Sequence, residues 1–336
     1  MKSKLNIKNI FKNNYQFIFS FIILFVILLV SINPTPYINA TLKGISIWAD
    51  IVLPSLFCFF IFTTLLMNFG STPKIFDFLN KPFEKLYNTK KVGGYIFAMS
   101  FFAGYPVGAK LISEFYNNKT ITINEAHRLI SYCSTSGPMF ILGSLASTLF
   151  NNFNLGIVIM LSHFISALLN GLIYRKFEIK PELLKEKVFT QTTQEIKKES
   201  LNDIMHNTII SSLMVGGYIA LCFTLLEIIF NLGVLTPLST LLENVFNLDG
   251  AIFQSIFKGI IEVTNGCVSL SSINISLKTI SIILTGLLSF GGLSIHLQTN
   301  MFLSKCNVKY KFFLLTKITH TILAVILSIV FSQILL

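Results

Sequence analysis

Long apolar stretches alternate with short polar ones along the chain. The apolar spans fall near residues 17–32, 45–68, 92–116, 129–150, 154–174, 207–232, 250–276, 277–299 and 312–335. Runs of about 20 apolar residues have the length that crosses a bilayer as helix. The pattern predicts an all-α polytopic membrane protein. Residues 74–88, KIFDFLNKPFEKLYN, mix aromatic and basic positions and read as an interfacial segment. Residues 175–206 carry seven Lys/Arg and six Asp/Glu without an apolar run. They form a charged cytoplasmic linker with room for a small extramembrane helix.

Composition supports the same class. Of the 336 residues 53% are hydrophobic and 12% charged, about half the charge of a soluble domain. The net charge of +11 would suit a nucleic-acid binder if it lay on one face. It lies instead in short loops, which points to membrane orientation and to no nucleic-acid partner. Lys/Arg number 4 in residues 1–16, 5 in 69–92, 2 in 116–128, 7 in 175–206 and 3 in 304–311. The intervening segments 33–44, 151–153 and 233–249 hold 1, 0 and 0. By the positive-inside rule the first group is cytoplasmic, the N-terminus included, and the second is external.

Charge and apolarity conflict at two spans. Residues 69–92 and 116–128 are both basic, so span 92–116 should enter and leave on the cytoplasmic side. Its Gly104-Tyr105-Pro106 break suits the tip of a re-entrant hairpin. Span 250–276 poses the mirror problem, which a hairpin from outside solves with Thr264-Asn265-Gly266 as its tip. Seven crossings and two hairpins then satisfy the loops.

This order contains a repeat. Each half runs crossing helix, hairpin, broken helix, crossing helix. The broken helices carry Gly137-Pro138 and Ser289-Phe290-Gly291-Gly292. Opposite orientation of the two units is the inverted-repeat signature of a secondary transporter. The expected organisation is an N-terminal membrane helix and external loop (1–44), a first repeat (45–174), the linker (175–206) and a second, inverted repeat (207–336).

Irregular backbone at membrane depth survives only where protein buries it or water lines it. Four breaks therefore imply one central site. Each frees amides at the start of a half-helix, which favours an anion, and Pro106 and Pro138 suit a first helical turn. Lys110 either pairs with Glu114 one turn on or faces the site to attract a carboxylate or phosphate. Tyr105 either stacks on an aromatic substrate or anchors an interface. Ser134, Thr135 and Ser136 bring hydroxyls beside the break. The second half supplies Glu262, Thr264, Asn265, Ser289, Gly291, Gly292, Ser294, His296 and Gln298. Glu262 either pairs with Lys258 or carries a coupling ion, a proton or sodium. His163 and His320 read as packing or interface residues. Asp50 and Glu227 lie toward the outer ends of corresponding helices.

Other chemistry is not signalled. The five cysteines have no CxxC spacing, so neither a disulfide framework nor a metal site is expected. No hydrolase, Walker or metalloprotease motif occurs, and neither an enzyme nor a cofactor is expected. Ile38-Asn39-Ala40 only weakly resembles a signal-peptidase site, so the first helix is expected to stay uncleaved.

At GYPVGAK (104–110), EAHRLISYCSTSGPMFILG (125–143), IEVTNGC (261–267) and SFGGLSIHLQ (289–298) the chain resembles the YlbJ-type sporulation integral membrane proteins. That group is part of the nucleoside-recognition, or Gate, domain proteins. The resemblance covers about residues 45–335. It implies a core organised like the concentrative nucleoside transporters, with hairpins and broken helices cradling substrate. It implies a role in spore formation, with dipicolinic acid as the leading substrate, in the cell membrane or the outer forespore membrane. The site carried across comprises Gly104, Tyr105, Pro106, Lys110, Ser134–Pro138, Glu262, Thr264, Asn265 and Ser289–His296. The partners expected are a small organic anion and the lipid bilayer, with a homo-oligomer left open. Two other functions stay open: a scaffold for spore-envelope assembly, or a transporter of nucleoside-like solutes.

Overall fold

A computed structural model describes residues 7–69, 76–90, 92–179, 200–246 and 248–336. Every regular element among them is helical. The chain runs α1 (Ile7–Ile32), α2 (Pro34–Ile47), a π turn (Trp48–Val52), α3 (Leu53–Phe69), α4 (Asp77–Tyr87), α5 (Gly93–Ala103), α6 (Val107–Asn117) and α7 (Ile123–Ile130). It continues with α8 (Met139–Leu149, wound as a π-helix), α9 (Phe153–Tyr174), α10 (Leu201–Asn231), α11 (Leu235–Phe246) and α12 (Gly250–Ile261). The last elements are α13 (Val263–Ser271), α14 (Leu277–Phe290), α15 (Gly292–Leu303), a 3₁₀ turn (Ser304–Cys306) and α16 (Tyr310–Leu335).

The protein is a multi-pass integral membrane protein. Four helical stretches are long and apolar enough to cross a bilayer: Phe153–Tyr174, Leu201–Asn231, Leu277–Cys306 and Tyr310–Leu335. A fifth is the pair Gln16–Ile32 and Pro34–Asp50, bent by 102°. The helices α5, α6, α12 and α13 have 11, 11, 12 and 9 residues. At 1.5 Å per residue none exceeds about 18 Å, too short to cross a core of about 30 Å alone.

Three expectations need correction. Residues 33–44 are helical rather than an external loop, because Pro34 sits at the first helical position where its missing N–H costs nothing. Residues 235–246 are helical as well, since Leu235, Leu238, Leu242 and Phe246 recur at helical spacing. The linker ends before Leu201, where Ser200 and Asp203 form a reciprocal capping box that starts α10. The extramembrane helix expected in the linker lies outside the described residues.

Lipid offers helices no hydrophobic reason to associate, so small residues and buried hydroxyls carry the packing. Gly44 lies against Ala220, and Gly216 against the ring of Trp48, whose indole N–H donates to the Ser212 carbonyl at 3.1 Å. Thr41 and Thr224 share a 2.6 Å hydrogen bond between α2 and α10. Thr285 Oγ1 donates to Ser328 Oγ at 3.2 Å between α14 and α16. Each such bond contributes about 0.6 kcal/mol in a membrane.

Two apolar clusters result. One joins α3, α5, α6, α7 and α10 to Phe302 and Phe313. The other joins α8 and α9 to α13 and α14. The halves of the chain therefore interlock rather than sit side by side.

Candidate functional site

Each half contains a close glycine contact between its hairpin and its broken helix, the positive-φ glycine lying in the hairpin break in one half and in the broken helix in the other. In the first, Gly104 has φ +76°, and a Cβ there would lie 2.6 Å from the Gly137 nitrogen. In the second, Gly292 has φ +62°, and its Cβ would lie 2.8 Å from the Gly259 carbonyl oxygen. Both positions need a left-handed backbone and contact with bare backbone, which only glycine satisfies.

The first break is tied by hydroxyls. Ser100 Oγ donates to the Cys133 carbonyl at 2.7 Å, and Thr135 Oγ1 reaches the Ser100 carbonyl at 3.4 Å. Pro106 and Pro138 each stand immediately before a helix, α6 and α8. Ser134 Oγ is buried and has no hydrogen-bond partner among the described residues.

Lys317 of α16 reaches into this break. The residue is 1% exposed; its Nζ donates to Tyr105 Oη at 2.7 Å and to the Ser134 carbonyl at 3.1 Å, and lies 4.7 Å from the Tyr105 ring centre. No carboxylate among the described residues pairs with it. An ammonium has three donors, and neutral oxygens take two of them. A lysine buried this way without a counter-ion carries its charge only against a desolvation cost, which an incoming anion would offset. Tyr105 Oη donates in turn to the Leu288 carbonyl at 3.1 Å, joining the first hairpin to the second broken helix.

His163 of α9 joins the two broken helices. The Ser136 amide donates to Nε2 at 2.9 Å, so Nδ1 carries the proton and donates to Ser289 Oγ at 2.8 Å. The ring is held neutral by what it bonds. His320 Nε2–H donates to the His163 carbonyl at 3.0 Å, and the two rings lie 5.0 Å apart. Asn170, one more turn pair along α9, donates to the Ser131 and Thr316 carbonyls at 2.7 and 3.0 Å.

The remaining candidates sit differently. Lys110 turns to α3: it donates to Thr64 Oγ1 at 2.8 Å, pairs with Glu114 at 3.5 Å and lies 4.5 Å from the Phe60 ring centre. It is not brought to Tyr105 or Ser134, because position 110 starts the second turn of α6 on its α3 face. Glu262 is buried and caps α13, accepting from the Asn265 amide at 2.8 Å. Its predicted partner Lys258 donates instead to Ser269 Oγ at 3.2 Å. The start of α13 is thus filled by the chain's own carboxylate, and Thr264 lies in the turn it caps.

Gly291 (φ +94°) closes α14, with a Cβ placed there 3.8 Å from Lys317 Cε. Ser294 accepts from Gln298 Nε2 at 3.0 Å. His296 donates from Nε2 to the Phe290 carbonyl at 3.0 Å and bonds Tyr310 Oη at 3.1 Å. The structure therefore gathers 104–106, 134–138 and 289–291 around Lys317 and His163. The hairpin tip at 262 adjoins them through Gly292, whose Cβ would touch Val263 at 3.2 Å.

Lys317, His163, His320 and Asn170 escaped the sequence reading as site residues. One signal was available for the first: of 26 basic residues only Lys110, Lys258, Lys278 and Lys317 fall inside apolar spans. Intramembrane charge is a functional signal in itself.

A Bacillus subtilis (strain 168) protein named sporulation integral membrane protein YlbJ is 30% identical over 315 residues, covering 88% of this chain and 77% of that protein. The chain belongs to the YlbJ family of sporulation integral membrane proteins. No protein-family model matches it. No solved structure matches it either. All four YlbJ-type stretches fall at the breaks or the helices flanking them.

Proposed function

We propose that this YlbJ-family protein carries a small organic anion across a membrane during spore formation, by alternating access at the Lys317 site. The observation that carries the reading is the buried, unpaired ammonium of Lys317 beside the unpartnered hydroxyl of Ser134. An incoming carboxylate accepts from both, supplying the counter-ion that the fold omits. Tyr105 and His163 hold the surrounding breaks in register, and Tyr105 offers a ring face to an aromatic substrate.

The order of a short-helix pair followed by a broken helix in each half supports an inverted repeat of hairpins and broken helices like that of concentrative nucleoside transporters. The short α5–α6 and α12–α13 pairs act as re-entrant hairpins that move between inward- and outward-open states. Dipicolinic acid, a flat aromatic dicarboxylate, is the substrate proposed for this family member. A coupling proton or sodium ion remains part of the reading, with no resident cofactor.

Reconstitution in liposomes tests it. Labelled dipicolinate is expected to cross above the empty-vesicle rate and with saturation. Lys317→Met should weaken saturable uptake at least 100-fold and leave the fold intact, because replacing an unpaired buried cation with a thioether relieves a desolvation cost. Uptake by Lys317→Met within threefold of the parent would refute the site. Absence of flux under proton and sodium gradients would refute transport of this substrate.

A further inference from the structure

A polar cavity of about 180 Å³ lies between the end of α10, α2 and the second hairpin. Lys43, Glu227, Lys258 and Asn265 supply its polar wall, and Phe223 and Phe230 its apolar one. Its α10 residues occupy the last turns of that helix, at the end opposite the basic 175–206 segment. Lys258 lies 5.0 Å from the Phe230 ring centre and keeps one bond to Ser269. Neither lysine pairs with Glu227 or another carboxylate among the described residues.

Two ammoniums around one small cavity repel each other unless an anion lies between them. Low-dielectric walls concentrate that field and enrich counter-ions locally. The volume corresponds to about six water molecules at ~30 Å³ each, room for one small ring with its carboxylates. The phenylalanines offer such a ring apolar contact, and the Asn265 amide offers donors at the hairpin tip. Glu227 keeps the net wall charge at +1. That favours capture which is weak enough for onward release, as a conduction path needs.

We propose that this cavity is an access site that captures a small aromatic carboxylate before it reaches Lys317. The inference rests on the reading of Lys317 as the central anion site. Asn265 connects the two: it lines the cavity, while its backbone amide is bonded to Glu262 at the tip that touches Gly292. A captured anion therefore contacts the hairpin whose movement would admit it.

Equilibrium binding of radiolabelled dipicolinate to the purified full chain separates the two sites. The parent protein should show two components, the weaker fading as salt rises. Lys43→Gln with Lys258→Gln should weaken that component at least tenfold and spare the other. Lys317→Met should do the reverse, and Lys43→Arg with Lys258→Arg should restore the weaker component. The glutamine pair is half-exposed or exposed, and an unchanged melting temperature establishes that it folds. A glutamine pair with the parent isotherm, or a single component lost only in Lys317→Met, overturns the access site. A single component lost only in the glutamine pair overturns the central site and leaves the access site standing. No saturable binding to the parent protein overturns both.

Discussion

The two halves of the molecule break their hairpins alike and neutralise the breaks differently. In the second half Glu262 caps α13 from within, so the helix start meets a carboxylate supplied by its own chain. In the first half no acid is supplied. The Ser134 carbonyl accepts from a lysine of α16, and the Ser136 amide donates to a histidine of α9. A break satisfied internally is a structural device, whereas a break completed by an unpaired cation has chemistry left over. On the proposed transport reading, the central anion belongs to the first break, and the second hairpin, already capped, contributes the wall of the access cavity.

Removing the bridge should have the largest effect on the first half. His163→Ala leaves the Ser136 amide and Ser289 hydroxyl without their partner and opens a cavity, a cost of about 3 kcal/mol. His163→Gln preserves one acceptor and one donor and should recover most of that in a thermal melt. The pair also probes pH. Protonating His163 puts a hydrogen on Nε2 and breaks the Ser136 bond, so the parent should lose stability as pH falls, and His163→Gln should lose less. Equal acid sensitivity in both would remove His163 from the comparison.

A smaller loss is expected in the second half. Glu262→Ala removes a helix cap at about 1 kcal/mol, and Glu262→Gln, which still accepts from Asn265, should cost less and keep dipicolinate uptake. Uptake abolished in a folded Glu262→Gln protein would make the second break a participant and erase the asymmetry. Tyr105→Phe should matter least to stability, at about 1 kcal/mol or below. It should nevertheless raise the concentration giving half-maximal uptake, because Lys317 loses a positioning partner. An unchanged value would place the tyrosine hydroxyl outside recognition.

Apolar stretches and three of the four breaks were legible in the sequence, because apolar length and Gly-Pro or Gly-Gly interruptions are local signals. The second hairpin turns at Glu262 instead, with the expected tip 264–266 inside α13. Among the described residues four helical stretches, or five with the bent pair, are long and apolar enough to cross a bilayer, against the seven crossings expected. Helices α2 and α11 were not, since their polar content and proximity to loops outweighed their periodicity. Within the site, glycine and proline positions could be read, but partners could not. Tyr105 and Lys317 are 212 residues apart and His163 and Ser289 are 126 apart, and no spacing rule joins such pairs. Lys110 drew attention because it follows a break in the same motif. Lys317, inside a long apolar span, carried the stronger physical signal and no motif.

Lys317 also bears on how the protein is made. A lysine at the centre of a membrane helix costs about 3 kcal/mol during insertion; Lys317, in the third turn of α16, costs less than that ceiling, and the apolar remainder of the helix must absorb it. Synthesis proceeds from residue 105 through 134 to 317, so the hydroxyl and carbonyl that receive the ammonium are already in the membrane when α16 emerges. The last helix can therefore insert against a prepared polar surface, and its docking locks the two halves together.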